Sequence, residues 1–365
     1  MGAVTGEPST AVRAGRIALV LGGLAVSLGL DFGLRTIVPD SSLRQLLLLA
    51  ACNCLVALSL NVINGMAGQF SIGHAGFLGI GGYTSAILAS NLHHALGGGA
   101  PTFSRSLLVV PVCLVASAVL AGLFGLLVGL PSLRLRGDYL AIVTLGFAEI
   151  FRLVIATASA TSTGGVLARL GGQSGYAGPD GQGIPLYAGP FWVFGLTLLL
   201  AIVAWRIKFS GWGRALRALR EDEIAAAAVG VDPSRYRVGS FVIAAVGAGI
   251  AGGLMAIMRD GMPIVNPDTY GFSASFDAIT MVILGGSGSV SGAMLGAFFV
   301  TFSIRAIEQL QGLPVVQALR QHHHTLDLDA VRMIVYAIAL VVLMTWRPEG
   351  LLGERELFGR RRAGA

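Results

Sequence analysis

The chain has 365 residues, of which 54% are hydrophobic and only 12% charged, with 52 glycines and a net charge of +6; its mean hydropathy is +0.76. A soluble domain of this length carries about twice that charged fraction, which excludes a water-soluble globular enzyme. The basic excess falls in loops at one side, so it is not a nucleic-acid signal.

Residues 1–14 are small and polar and read as a disordered cytoplasmic tail, with Arg13 and Arg16 beside the membrane. The first apolar run is followed by Asp31 and lacks a small-residue cleavage site, so it reads as a span and not a cleaved leader. Runs that reach or approach the ~20 residues of a spanning helix lie at 17–34, 45–62, 70–90, 107–130, 139–158, 190–207, 238–258 and 331–346. Two shorter pieces, 273–285 and 290–306, flank a Gly/Ser cluster and read as two short passes or a re-entrant hairpin. The expected fold class is therefore all-α: a polytopic transmembrane helix bundle of 8 full spans plus two short or re-entrant segments, with interrupted helices. Residues 15–353 form the transmembrane domain, with a polar loop at 208–237, and 354–365 a basic cytoplasmic tail. Cys52, Cys54 and Cys113 sit in apolar runs and read as packing thiols, not a disulfide frame or metal site.

An even number of crossings places both termini on one side. Of the 25 Lys and Arg residues, sixteen fall on that side and nine are scattered elsewhere. The positive-inside bias makes it cytoplasmic. Seven of the sixteen lie between Arg206 and Arg237. At roughly 3 kcal/mol per charge at the membrane centre, burying this segment would cost on the order of 30 kcal/mol. It must lie in water between two spans. Its helix formers, the stop at Gly230 and the start at Asp232-Pro233 predict a short helix offered to a docked partner. The opposite side carries the long glycine-rich loop within 159–189, which suits a contact surface or gate.

Three stretches could carry chemistry. In LNVINGMAGQFSIGHAGFLGIGGYTSAIL (60–88), Asn61, Asn64, Gln69, Ser71 and His74 cluster where two apolar runs meet, and Gly73, Gly76 and Gly79 recur every three residues. A helix broken at Asn64-Gly65 frees backbone groups that only a cavity or protein interior satisfies. The polar residues are then either interhelical hydrogen-bond glue or the lining of a path. In ILGGSGSVSGAMLGAFF (283–299), Ser289 and Ser291 stand among glycines that break a helix. GQFSIGHAG and GSGSVSGAM share a G-x-x-S core, read either as an internal repeat flanking a path or as chance. In LRLRGDYLAIVTLGFAEIFRL (133–153), Glu149 and Arg152 are spaced to pair on one helix. The histidines of 322–324 have no ligating partners nearby and read as a solvated loop. No nucleophile–base set, phosphate loop or HExxH is present, so the chain is expected to be neither an enzyme nor an ATPase.

These three stretches, with GRALRALREDEIAAAAVGVDPSRYR and the terminal WRPEGLLG (346–353), resemble in order and spacing the membrane subunits of branched-chain amino acid ABC importers, from about residue 45 to 353. The resemblance implies a permease of the bacterial inner membrane, paired with a second homologous permease, two cytosolic ATPase subunits and a periplasmic substrate-binding protein. ATP-Mg would be bound by the ATPases, with no cofactor or metal on this chain. It implies a coupling role for the loop, carried by Arg214, Arg217, Arg220, Glu221, Glu223, Ala226 and Gly230, with Glu223, Ala226 and Gly230 as a diluted E-A-A…G core. The translocation path is expected along Asn61, Asn64, Gln69, Ser71, His74, Ser289 and Ser291. The alternatives are a permease for urea or short amides, and an ion-coupled secondary transporter, for which Glu149 and Asp277 are the candidate buried carboxylates.

Overall fold

The computed structural model describes residues 40–132, 138–161, 170–179, 181–311, 350–353 and 355–357, with isolated positions within 29–36 and 338–346. Almost all of the expected first span (17–34) and of the last (331–346), the histidines of 322–324, and Arg134 and Arg136 lie outside the described residues. Among the described residues the regular structure is helical: α1 (Ser41–Asn61), α2 (His74–Ala95), α3 (Phe103–Ser132), α4 (Asp138–Thr161), α5 (Pro190–Phe209), α6 (Gly211–Glu221), α7 (Glu223–Ala228), α8 (Pro233–Ala256), α9 (Phe272–Gly285) and α10 (Val290–Gln311). Five are long and apolar enough to cross a membrane: α1 with its extension to Met66, α3, α4, α5 and α8.

The centre of the bundle is α2 packed on α8, with α1, α3 and α4 around them. Small residues make this closeness possible. A Cβ on Gly73 would strike the Thr144 carbonyl, one on Gly76 would press Ala148, and one on Gly79 would meet Phe151, so the three-residue glycine stripe is the seat of α4. Gly81 and Gly249 bring the backbones of α2 and α8 together in the same way. Away from this centre, α3 leaves Leu107, Leu108, Val115, Leu123 and Leu127 exposed, as a helix facing lipid should. The three cysteines are buried packing residues.

α1 does not end cleanly. It passes into a π-helical turn, Val62–Met66, and the chain then runs without regular structure to Gly73 before α2 starts. The break falls at the expected Asn64-Gly65, and α2 begins four residues later than the apolar run suggests. The freed groups are accounted for: Ala67 N donates to Val62 O, Gln69 N to Ile63 O, Ile72 N to Thr144 Oγ1 and Ala75 N to Ser275 Oγ.

The pieces at 273–285 and 290–306 form an antiparallel hairpin. Gly285 lies against Gly292, and Gly296 against Met281. With 14 residues α9 is about 21 Å long, short of the ~30 Å hydrocarbon core. Its turn contains Gly286 at φ +121°, a conformation closed to residues with a Cβ.

At the end away from Arg206–Arg237, the loop after α4 is laid onto the loop after α8. Tyr176 and Val265 exchange backbone hydrogen bonds, Ile184 N donates to Pro263 O, and Ala188 bridges to Ile257 and Arg259. Tyr176 and Tyr187 are buried anchors of this stretch. Arg152 pairs there with Glu149 (2.8 Å), as its spacing predicts, and also with Asp268 (3.0 Å).

Candidate functional site

Two features meet at the basic end of the bundle: the polar segment between α5 and α8, and the paired chain breaks of α1 and of the α9–α10 hairpin.

The polar segment is two helices, not the single short one expected. α6 starts at Ser210, whose Oγ accepts from Gly213 N. Asp222 ends α6 in an extended conformation and caps α7, its Oδ1 accepting from Ile224 N (2.8 Å) and Ala225 N (3.0 Å). A capping aspartate thus outcompetes the helix formers on either side. Gly230 stops the segment at φ +90°, and Asp232 with Pro233 opens α8, both as the sequence indicates. Leu216, Leu219 and Ala226 are turned inward.

The arginines of α6 fold back onto their own molecule. Arg214 donates to Phe209 O and Arg217 Nη2 to Lys208 O (3.0 Å), closing carbonyls at the end of α5. Arg220 reaches 2.8 Å to Gly65 O, in the π turn of α1, and also contacts Glu221. Glu223 is held by Arg237 at 3.0 Å. Open to a partner are Glu221 (side chain 74% exposed), Gly230, part of Arg214 and two large apolar residues that the sequence reading passed over, Ile224 (83% exposed) and Val229 (81%). Large aliphatic groups bared on a charged, water-facing segment were the available signal.

The polar residues expected along a path do not form one continuous lining. Asn61 is fully buried and joins the two breaks: its Oδ1 accepts from Gly288 N (2.8 Å) and its Nδ2 donates to Ser289 O (3.0 Å). Asn64 closes its own loop, accepting from Ser71 N and donating to Ser71 O. Ser289 and Ser291 belong with the chain's C-terminal segment, Ser289 Oγ donating to Arg355 O and Ser291 Oγ to the Glu356 carboxylate. Gln69 is half-buried in the irregular stretch between Asn64 and Ser71, where the chain passes from α1 to α2.

Ser71 and His74 differ from the rest. Both are fully buried, and Ser71 Oγ and His74 Nδ1 have no hydrogen-bond partner among the described residues. Ser59 commits its proton to Val56 O, so the 2.8 Å contact between Ser59 Oγ and His74 Nε2 has the imidazole donating. Nδ1 is then a bare acceptor. Buried polar atoms are nearly always satisfied, so this pair can answer a polar passenger or water. On the other side of Ser59, between α1, α5 and α8, lies an apolar cavity of about 30 Å³ lined by Leu58, Val62, Leu200, Ala204 and Gly247. It has room for a water and not for an amino acid. Among the described residues no cluster of His, Cys, Asp and Glu has the arrangement of a metal site.

Comparison with known proteins gives this architecture its place. Residues 42–344 match the family described as branched-chain amino acid transport system, permease component. The high-affinity branched-chain amino acid transport system permease protein LivM of Escherichia coli K12 is 32% identical over 320 residues, covering 82% of this chain and 67% of that one. The protein named LivM in Methanocaldococcus jannaschii is 27% identical over 83% of this chain and 91% of its own. The permease protein LivH of the corresponding system in Salmonella typhimurium is 31% identical over 166 residues, 46% of this chain and 47% of its own. No solved structure matches. The family pattern thus begins at the head of α1 and runs past α10, taking in both breaks, the hairpin and the charged double helix, and the chain belongs to the branched-chain amino acid transport system permease family.

Proposed function

We propose that this chain is a transmembrane permease subunit of an ATP-binding-cassette importer that moves branched-chain amino acids from periplasm to cytoplasm. The observation that carries the reading is the family match across residues 42–344 joined to the geometry of α6 and α7. A charged helical pair stands between two spanning helices, with one arginine fixed to the broken turn of α1. Similarity to both LivM and LivH supports a second, homologous permease beside it. The force comes from two cytosolic ATPases that bind ATP-Mg, and the solute from a periplasmic binding protein.

In this reading α6 and α7 are the coupling element. Arg214, Arg217 and Arg220 brace it against the bundle, while Glu221, Glu223, Ala226 and Gly230 shape the face that meets the ATPase. Ile224 and Val229 add apolar knobs for the groove they enter. The solute passes along Asn61, Asn64, Gln69, Ser71, His74, Ser289 and Ser291, and the unmet Ser71 and His74 atoms favour the Ser71–His74 stretch as its most polar step. The chain lies in the bacterial inner membrane with both termini cytoplasmic. Its crossings are eight full spans plus the short α9–α10 hairpin. Meeting of the two Gly/Ser breaks at Asn61 supports reading them as corresponding parts of an internal repeat.

The test is uptake of radiolabelled leucine by proteoliposomes holding the chain with its sister permease, ATPases and binding protein. Uptake must require ATP and the binding protein. Vigorous flux through the chain alone, driven by an ion gradient, would overturn the proposal; so would transport of urea with leucine excluded.

A further inference from the structure

The described C-terminal residues, Gly350–Gly353 and Arg355–Leu357, are woven into the turn of the α9–α10 hairpin. Leu351 N and Leu352 N donate to Leu284 O and Gly285 O, carbonyls at the end of α9 that have no partner within the helix. Gly286 and Gly353 meet backbone to backbone, and a Cβ on Gly286 would strike the Gly353 carbonyl and amide. Glu356 then closes the other half of the turn. Its carboxylate accepts from Val290 N (2.8 Å), Ser291 N (2.9 Å) and Ser291 Oγ, so it caps α10 at the end where a negative charge is favoured. Ser289 Oγ donates to Arg355 O (2.8 Å), and Leu357 N to Ser291 Oγ (3.1 Å).

The same carboxylate takes the ammonium of Lys208 at 2.6 Å. Both side chains are almost sealed from solvent, 6% exposed for Lys208 and 3% for Glu356. Lys208 lies in the last turn of α5, two residues before the cap of α6, and its carbonyl is held by Arg217 of α6. A buried pair of this kind is costly to half-break, since removing one partner leaves a charge without compensation.

Resting on the reading of α6 and α7 as the coupling element, we propose that the C-terminal segment is a clasp, with Glu356 as the positioning residue that joins the root of that element to the tip of the α9–α10 hairpin. Displacement of α5 and α6 by a motor subunit is carried through Lys208 and Glu356 into α10, and through the backbone of Leu351 and Leu352 into α9. The hairpin moves with the coupling element rather than after it. The segment stays docked throughout the cycle; it is a link, not a lid.

The experiment uses the full importer in proteoliposomes, reading leucine uptake and ATP hydrolysis together. Glu356→Gln keeps a side chain that hydrogen-bonds but loses the charge. Uptake per ATP hydrolysed should fall by about tenfold or more, with assembly and hydrolysis near the unmodified level, and Glu356→Asp should recover part of the loss. Equal loss of hydrolysis and uptake, or no loss at all, would overturn the clasp. The second measurement is a cysteine pair, Leu284→Cys with Leu351→Cys, at backbones joined by a 3.0 Å hydrogen bond, which cross-links the segment to the hairpin and stays decisive if Glu356→Gln fails to assemble. The clasp requires that the cross-linked importer still transport; uptake abolished by the cross-link and restored by reductant would show a segment that must release. If the unmodified importer itself shows no ATP-driven leucine uptake, the permease reading fails. If only the variant ratios stay normal, the clasp alone fails.

Discussion

Asn61 shows how much a single buried amide can hold. Both ends of its side chain are used, on Gly288 N and Ser289 O, and no solvent reaches it. Replacing it with leucine leaves a donor and an acceptor of the hairpin turn unpaired, at about 1–3 kcal/mol each. Asn61→Leu should lower the thermal midpoint of the detergent-solubilised protein well below that of Asn64→Ala, whose contacts stay within one half-buried loop; equal midpoints would remove Asn61 from that role. Glu356 makes a second case. Burial pushes its carboxyl up, but hydrogen bonds from Lys208, Ser291 and Val290 outweigh this and hold its pKa below the ordinary 4.5. A carboxylate with a depressed folded pKa stabilises fully above its unfolded value and loses that contribution as pH falls through the folded one. The charged groups facing it or its neighbours are Lys208 of α5, Arg217 and Arg220 of α6, and its own chain's Arg355, and arginine does not titrate here. Protease cleavage near 355–357 should therefore be flat from neutrality down to about pH 5 and rise only below 4.5; a midpoint near pH 6 would contradict the buried pair. The polarity of Asn61, Ser71 and His74 was legible in the sequence because polar letters stand out in an apolar run. Glu356 was not, because one glutamate in a basic tail looks solvated until Lys208, 148 residues away, is seen beside it.

At the scale of elements, the helices themselves were legible, since apolar length and glycine punctuation decide them. The break at Asn64-Gly65, the stop at Gly230 and the start at Pro233 all fall where backbone chemistry requires. What the pattern hid was the cut at Asp222: Ala, Leu, Arg and Glu on both sides favour helix, and only the geometry of the Asp222 side chain over Ile224 N and Ala225 N separates α6 from α7. That cut turns Ile224 and Val229 outward and Ala226 inward. A docked partner should therefore feel Ile224 and Val229 first. Ile224→Asp with Val229→Asp should reduce co-purification of the ATPase subunits by about tenfold or more, as expected of apolar anchors at an interface centre, with the permease pair intact. Glu223→Ala disrupts an ion pair with Arg237 that is still partly open to solvent, worth roughly 0.2–1 kcal/mol, and should change co-purification little. Reversal of that order would place the contact on the E-A-A…G-like residues instead.

For the whole molecule, the contacts at the basic end close into a ring. α6 holds the π turn of α1 through Arg220 and Gly65 O; α1 holds the hairpin turn through Asn61; the turn holds Glu356, Glu356 holds Lys208 of α5, and Lys208 O is held by Arg217 of α6. Two routes thus lead from the α6–α7 pair to the hairpin, one through the break of α1 and one through the C-terminal segment. Parallel routes have a signature that a single chain of contacts lacks. Breaking either leaves the other to carry part of the displacement, while breaking both leaves none. Arg220→Ala opens the first route and Glu356→Gln the second. The double variant should lose uptake per ATP by more than the product of the two single losses, a coupling expected of residues within one network and not of independent sites. Measured in the same proteoliposomes with ATP hydrolysis as the denominator, a double loss equal to that product would mean that the two contacts act separately and that the ring is geometry without mechanical consequence. A double loss no greater than the larger single one would instead place both residues on one route in series.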